Sequence, residues 1–221
     1  MKRIVNLLVL SVVAILMASC STSYVSKVKP TEVRDVQFFE PVSSIELLES
    51  LNTPVLNDSI NLRSNQIIND ILRERTKQFP ISGEILFNDN QKYQMYKREM
   101  LNLVTAISQD RGIEHKIIPE VIEGMLNASG KRFGIVVVHT GFIRTLENYI
   151  ANEAFERLKN ATLNLPIVPT EKDRSSLYIM IFDALNRDIA LFNYSHKSNA
   201  SPLDRFVIRG QYKYILEDYF E

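Results

Sequence analysis

The chain has 221 residues, with 26 Lys or Arg against 26 Asp or Glu, so its formal net charge at pH 7 is zero. This balance provides no electrostatic attraction to nucleic acid or to an anionic membrane surface, and we predict no nucleic-acid partner. The sequence contains a single cysteine, Cys20, which excludes an intrachain disulfide and a multi-cysteine zinc site.

The first twenty residues have the three parts of a secretory signal peptide. Lys2 and Arg3 come first, residues 4–17 are mostly apolar, and small residues follow. This order is typical of export signals. The apolar stretch is shorter than the roughly 20 residues that a membrane-spanning helix needs.

The motif Leu-Met-Ala-Ser-Cys at residues 16–20 resembles the lipobox of bacterial lipoproteins, in the style of the Bacteroidetes group. The resemblance implies that residues 1–19 are removed as a signal peptide and that Cys20 carries the lipids that attach the chain to a membrane. Enterobacterial lipoproteins retained at the inner membrane have aspartate after the cysteine, so Ser21 favours the outer membrane, on its periplasmic side. The alternative is an ordinary signal peptide cut near Ala18, which leaves Cys20 as a free thiol.

Residues 20–35 are polar, include Pro30 and have neither helical nor strand periodicity. We therefore predict a lipidated tether over 20–35 and a globular domain over 36–221.

Apolar periodicity predicts alternating strands and helices in the globular domain. Asn88-Asp89-Asn90 is a capping signal for one helix, and Ser201-Pro202 for the last. In that last helix we expect the core side to comprise Leu203, Phe206, Val207 and Tyr214. Strands are predicted at 36–39, 81–87, 133–139, 177–182 and 189–194, and helices at 62–79, between 90 and 112, from 119, at 145–158 and from 201.

The two strongest apolar runs, 135–138 and 177–182, are predicted to be the central strands of a sheet covered on both faces. Residues 183–187 form a turn signal between two strands, which makes an all-parallel sheet improbable. The sequence therefore predicts a single α/β domain with a mixed sheet flanked by helices, ending in a β-hairpin followed by a helix. This arrangement is similar to the periplasmic α/β domains of curli-secretion and penicillin-binding-protein-activator lipoproteins.

Two polar residues follow predicted central strands and are candidate site residues. His139 is predicted to end its strand, where open α/β sheets bind ligands; this placement is the basis for an alternative function as a hydrolase-like periplasmic enzyme. Asp183 follows the second strand and is a candidate acid or ligand. The structural alternatives are a histidine hydrogen-bonded to the backbone and an aspartate that caps the turn.

The sequence lacks the usual motifs of catalytic, cofactor and metal sites. No Gly-x-Ser-x-Gly run exists, and Gly130 and Gly134 precede a strand, whereas a phosphate loop precedes a helix. No second histidine has zinc-ligand spacing to His139. We therefore predict no catalytic constellation, cofactor or metal.

Tyr212, Tyr214 and Tyr219 are spaced so that they cannot all face one core, and we predict that one or two form a partner surface. Together with the lipid anchor, this favours a membrane-anchored envelope protein that binds another protein or assembles with copies of itself.

Overall fold

The computed structural model of the protein describes residues 25–49, 52–75, 78–110, 112–114 and 116–220. The lipobox and Cys20 lie outside the described residues. Within these ranges, eight strands form one sheet. They are β1 Val25–Ser26, β2 Val36–Phe39, β3 Val42–Leu48, β4 Pro54–Leu56, β5 Ile81–Ile85, β6 Phe133–Arg144, β7 Asp173–Asp183 and β8 Asp188–Ser198.

Five α-helices and a short 3-10 turn, Pro30–Glu32, complete the described fold. The helices are α1 Asp58–Arg75, α2 Asn90–Asp110, α3 Glu120–Ser129, α4 Leu146–Leu163 and α5 Arg205–Phe220. None of the helices in the described ranges is long and apolar enough to cross a membrane.

Strand β6 organises the sheet. Strand β7 pairs with it antiparallel on one side, while β2 and β3 lie end to end along the other side and are both parallel to it. Beyond these, β5 extends β2 in parallel, β4 extends β3 antiparallel, and β8 and then β1 extend β7 antiparallel. The predicted mixed α/β fold is confirmed, including the final hairpin, β7–β8, followed by a helix.

Alternate residues of β6 serve two separate apolar layers. Ile135 and Val137 pack with residues of α1 and α5, whereas Val136 and Val138 pack with residues of α2 and α3. Because successive side chains of a strand point to opposite faces, a continuous apolar run is what a doubly covered strand requires. The central strands predicted from these runs are confirmed.

Three differences from the predicted elements matter for the site. Strand β6 continues to Arg144, so His139 lies in the middle of the strand. Strand β3 was not predicted, because its serines interrupt the apolar pattern. Helix α1 also begins earlier than predicted, at Asp58.

The described part of the predicted tether, residues 25–35, lies against the domain. Strand β1 pairs with β8, Val33 is buried with the α1 and α5 layer, and the hydroxyl of Tyr219 donates a hydrogen bond to the main-chain oxygen of Val28 at 2.7 Å. These contacts use mostly main-chain groups. Because main-chain hydrogen bonds do not depend on side-chain type, the polar composition of this segment did not predict them.

The predicted core side of the last helix is wrong. The carboxylate of Asp204 accepts a hydrogen bond from the main-chain N–H of Phe206, and the helix begins at Arg205 instead of near Ser201. Phe206 is 80% exposed and Tyr214 45% exposed, while Leu203 and Val207 are only partly buried. The buried stripe has clean helical spacing and consists of Ile208, Tyr212, Ile215, Leu216 and Tyr219.

Candidate functional site

His139 is fully buried, and its two ring nitrogens contact hydroxyls on opposite sides. Nδ1 lies 2.7 Å from Oγ of Ser64 on α1, and Nε2 lies 2.9 Å from Oγ of Ser175 on β7. The predicted position of His139 at a strand end is therefore wrong. The strand continues past His139, and a substrate has no access to its ring.

The histidine is one member of a hydrogen-bonded chain that connects both helices of its layer. Ser43 donates to Ser64 at 2.8 Å, and Ser175 donates to Oε1 of Gln211 on α5 at 2.7 Å. The amide nitrogen of Gln211 then donates to the main-chain oxygens of Ser175 and Ser195. With a neutral imidazole protonated on Nε2, every link has one donor and one acceptor.

Protonation of His139 breaks this chain, because Nδ1 then carries a proton and can no longer accept the hydrogen bond that Ser64 donates. Burial lowers the pKa of His139 to about 3 from 6.5. Between these values the unfolded chain binds a proton that the folded chain does not, so stability is fully present above pH 6.5 and falls as the pH falls. We expect the free energy of unfolding to drop by about 2 kcal/mol between pH 7 and pH 5, measured by urea denaturation.

The matched controls are His139→Gln and His196→Gln. His139→Gln should lower the free energy of unfolding at both pH values and remove most of the dependence of this free energy on pH. His196 is partly exposed, and its pKa is lowered by burial and then by Arg174. Its contribution to the pH dependence of stability therefore has the same sign as that of His139. Exposure makes that contribution smaller. A His139→Gln protein with the wild-type pH dependence would contradict the assignment.

Asp183 has a structural role. Its side chain is 1% exposed, and Arg132 donates to both carboxylate oxygens, at 2.9 and 2.6 Å. The main-chain N–H of Leu185 donates to the same carboxylate at 3.0 Å, which is the turn-capping alternative. Burial by itself raises the pKa of Asp183, but the hydrogen bonds and the charge of Arg132, together with the main-chain N–H groups of Asn186 and Leu185, hold the pKa below its usual value.

The two candidate residues do not form one site. Asp183 pairs with Phe133 at one end of the β6–β7 ladder, and His139 pairs with Leu177 six positions along it. At about 3.4 Å per residue, this places them about 20 Å apart.

The three tyrosines of the predicted partner surface are divided between the core and the surface. Tyr212 and Tyr219 are buried in the layer of α1 and α5, where they fill the helix stripe facing the sheet. Tyr214 is the member of the trio that remains exposed. One exposed tyrosine agrees with the expectation that one or two are exposed, and a partner surface at Tyr214 stays a prediction.

An open cleft of about 620 Å³ lies on the opposite face of the sheet from His139, beside α2. Its walls include Thr140, Phe142, Arg174, Ser176 and His196. Arg174 is paired with Glu171, and Ser176 contacts Nδ1 of His196 at 2.6 Å. In the described ranges, no three His, Cys, Asp or Glu side chains are grouped to hold a metal ion. At the wall of the cleft, Ser176 and His196 thus contact each other, and Arg174 is held by Glu171.

Helix α4 presents the most unusual surface of the described structure. We define the α4 face as Leu146, Ile150, Ala154, Phe155 and Leu158, all of them exposed. Its four large side chains are between 57% and 66% exposed. The loop that follows adds further exposed apolar side chains, from Leu163, Leu165, Ile167 and Val168.

The opposite side of α4 is polar and fastens the helix to the domain. Asn148 is buried, accepts a hydrogen bond from Nη1 of Arg144 at 2.6 Å and donates to the main-chain oxygen of Glu49. The side-chain amides of Asn152 and Asn52 donate to each other, each at 2.9 Å. The helix is therefore inverted relative to an ordinary surface helix, which turns its apolar stripe inward.

The sequence showed that Leu146, Ile150, Ala154 and Leu158 align on one side of a helix, but not that this side faces solvent. The sequence feature that could have indicated the orientation of α4 was its second, polar stripe, Asn148 and Asn152. Asparagine is seldom placed in the interior of a helix without a specific hydrogen bond. The α4 face is the candidate functional site.

No family model matches the chain, and no curated protein matches it. Among solved structures, the PelC dodecamer from Paraburkholderia phytofirmans is 9% identical, with a TM-score of 0.38, over 89% of this chain and 95% of that chain. The LpoB C-terminal domain from Salmonella enterica is 8% identical, with a TM-score of 0.28, over 75% of this chain and 84% of that chain. Both likenesses are too distant to support a functional statement.

Proposed function

We propose that this chain is a bacterial envelope lipoprotein, anchored through lipids on Cys20, whose α/β domain binds a protein through the α4 face. One observation carries the protein-binding role: α4 is fastened by its polar side and turns its large apolar side chains to solvent. Exposed contiguous apolar patches of this kind mark contact sites. The residue after Cys20, Ser21, supports a place at the outer membrane, on its periplasmic side.

The charges around the α4 face favour a protein over a lipid surface. Helices that lie on membranes are rich in Lys and Arg on their polar side. In α4 the acidic residues Glu147, Glu153 and Glu156 outnumber the basic residues Arg157 and Lys159. An anionic lipid surface would repel this helix slightly, whereas a protein surface can match both signs.

The test is photo-crosslinking in intact cells, with a photoreactive phenylalanine analogue in place of Phe155. We expect an adduct of one discrete mass, because Phe155 lies on the α4 face. The matched control is the same analogue at Phe206, which is 80% exposed but lies on α5. No adduct at position 155, or equal adducts at both positions, would overturn the protein-binding role.

Lipidation is tested separately. We expect the natural protein to begin at Cys20, to exceed the mass of its bare polypeptide and to remain with the membrane fraction, because several acyl chains give effectively stable anchoring. Cys20→Ala should leave the chain unprocessed or release it. Intact-mass measurement decides the point: a natural product of bare polypeptide mass contradicts the anchor.

A further inference from the structure

The cleft beside α2 continues into a second hollow along the same face of the sheet. The second hollow has a volume of about 540 Å³, and Ser108 of α2 and Tyr178 of β7 line both spaces. Together they form one groove between α2 and the sheet. Small-molecule pockets have volumes of roughly 300–1,000 Å³, so this groove has room for an extended ligand.

A row of polar side chains crosses the sheet side of the groove. We define the polar row by paired residues of four adjacent strands, all of which line the cleft: Ser44 of β3, Thr140 of β6, Ser176 of β7 and His196 of β8. Neighbouring strands lie about 4.8 Å apart, so the row is about 14 Å long. Because a hydroxyl group both donates and accepts, the row presents donors and acceptors across the strands.

Aromatic rings flank the polar row on both sides along the strands. Tyr178 and Tyr194 follow two residues to one side, with ring centroids 5.9 Å apart and ring planes 27° apart. Phe142 lies two residues to the other side, where the guanidinium of Arg174 is 5.0 Å from its ring centroid. Tyr194 is 44% exposed. A ligand on the polar row therefore meets aromatic rings beside the hydroxyls.

Polar side chains on both walls of the groove remain available for a ligand. Within the described ranges, no side-chain hydrogen bond or ion pair is formed by Ser44, Glu46 and Thr140 on the sheet, or by Ser108 and Gln109 on α2. A ligand that carries many donors and acceptors can therefore bind to the sheet and to the helix at once.

We infer that this groove binds an oligosaccharide, with sugar rings packed on Tyr178 and Tyr194 and sugar hydroxyls directed to the polar row. A pyranose ring has a face of C–H groups and a rim of hydroxyls. Its C–H hydrogens are attracted to the electron-rich face of an aromatic ring. The groove offers both kinds of contact side by side. This binding site is additional to the α4 face and does not depend on it.

The chemistry of the groove fits other ligand classes less well. An anion is disfavoured, because Arg174 is held by Glu171 and Glu46 is unpaired on the same wall. An apolar ligand would remove the hydroxyls of the polar row from water without hydrogen bonds, which is costly. A peptide strand is recognised through the main chain of a sheet edge, whereas this groove lies on a sheet face and presents side chains.

The experiment is saturation-transfer NMR on the full-length protein in mild detergent, with the tetrasaccharides of cellulose, chitin and starch as probes. We expect transfer to the ring C–H protons of at least one probe, whose dissociation constant is then measured by titration. In Tyr194→Ala the affinity should fall about tenfold, because a ring contact is lost. Tyr194→Phe retains the ring and should bind almost as the wild type does. Transfer to none of the three probes would overturn the inference.

Tyr214→Ala is the matched control, since Tyr214 is 45% exposed but lies on α5, which packs on the opposite face of the sheet. It should leave the dissociation constant unchanged. Thr140→Val retains the shape of the side chain but not its hydroxyl, and should lower the affinity about fivefold. Urea denaturation shows whether each variant is folded. Equal losses for the two tyrosine-to-alanine variants, or an affinity that neither Tyr194→Ala nor Thr140→Val changes, would also overturn the site.

Discussion

Replacing Gly141 with alanine is expected to lower the free energy of unfolding by about 3 kcal/mol or more. Gly141 lies in β6, between Ile45 of β3 and Ser175 of β7. An added methyl group would lie far inside van der Waals contact with the main-chain oxygen of Arg174. A main-chain atom in a paired strand cannot turn aside as the end of a flexible side chain can, so β6 and β7 must separate locally. The measurement is urea denaturation at pH 7.

Two other glycines provide matched controls for this substitution. Gly124 lies in α3 and Gly210 in α5, and an added methyl group at either position meets no atom within 4 Å. Because glycine is a poor helix former, Gly124→Ala and Gly210→Ala should each raise the free energy of unfolding by up to about 1 kcal/mol. If Gly141→Ala gave a similar gain, the close approach of β6 and β7 at this point would be wrong.

The covered half of the sheet was predictable from sequence, and the uncovered half was not. Residues 135–138 and 177–182 form unbroken apolar runs because helices lie on both faces there. Farther along β6, Thr140 and Phe142 line the open cleft beside α2. Exposure on one face introduces polar residues, which end the apolar run and made β6 seem to stop at His139.

The role of His139 depends on contacts that no local pattern reveals. Its hydrogen-bond partners Ser64 and Ser175 are 75 and 36 residues away in sequence. Each partner is an ordinary serine whose importance appears only when α1, β6 and β7 are brought together. The sequence correctly singled out the histidine as unusual, but a buried neutral imidazole between two hydroxyls performs a structural task.

The α4 face illustrates a different limit. A helical stripe of apolar residues predicts a helix and one contact side, and it does not distinguish the core of the same chain from another molecule. In α4 the distinction comes from Asn148 and Asn152, whose hydrogen bonds to Arg144, the Glu49 carbonyl and Asn52 occupy the inner side. Only the folded chain shows that these positions meet.

Asp183→Ala is expected to lower the free energy of unfolding by about 3 kcal/mol. The substitution removes both hydrogen bonds from Arg132 and leaves the main-chain N–H of Leu185 in the turn without its acceptor. The loss falls at the lower end of the range for buried pairs, because the Arg132 side chain is 37% exposed and can turn to water. Asp183→Asn, which retains an acceptor but not the charge, should lose less. The measurement is urea denaturation at pH 7.

Asp188→Ala is the matched control, since Asp188 lies at the other end of the same turn and also forms an ion pair, with Lys27 at 2.7 Å. Both partners of that pair are about one-third exposed, so water screens their attraction, and the expected loss is below about 1 kcal/mol. Equal losses for the two alanine variants would mean that burial does not strengthen the Asp183–Arg132 pair. A clearly larger loss for Asp183→Ala would show that the Asp183 carboxylate stabilises the β7–β8 hairpin. This carboxylate connects the end of β7 and the turn to Arg132, just before β6.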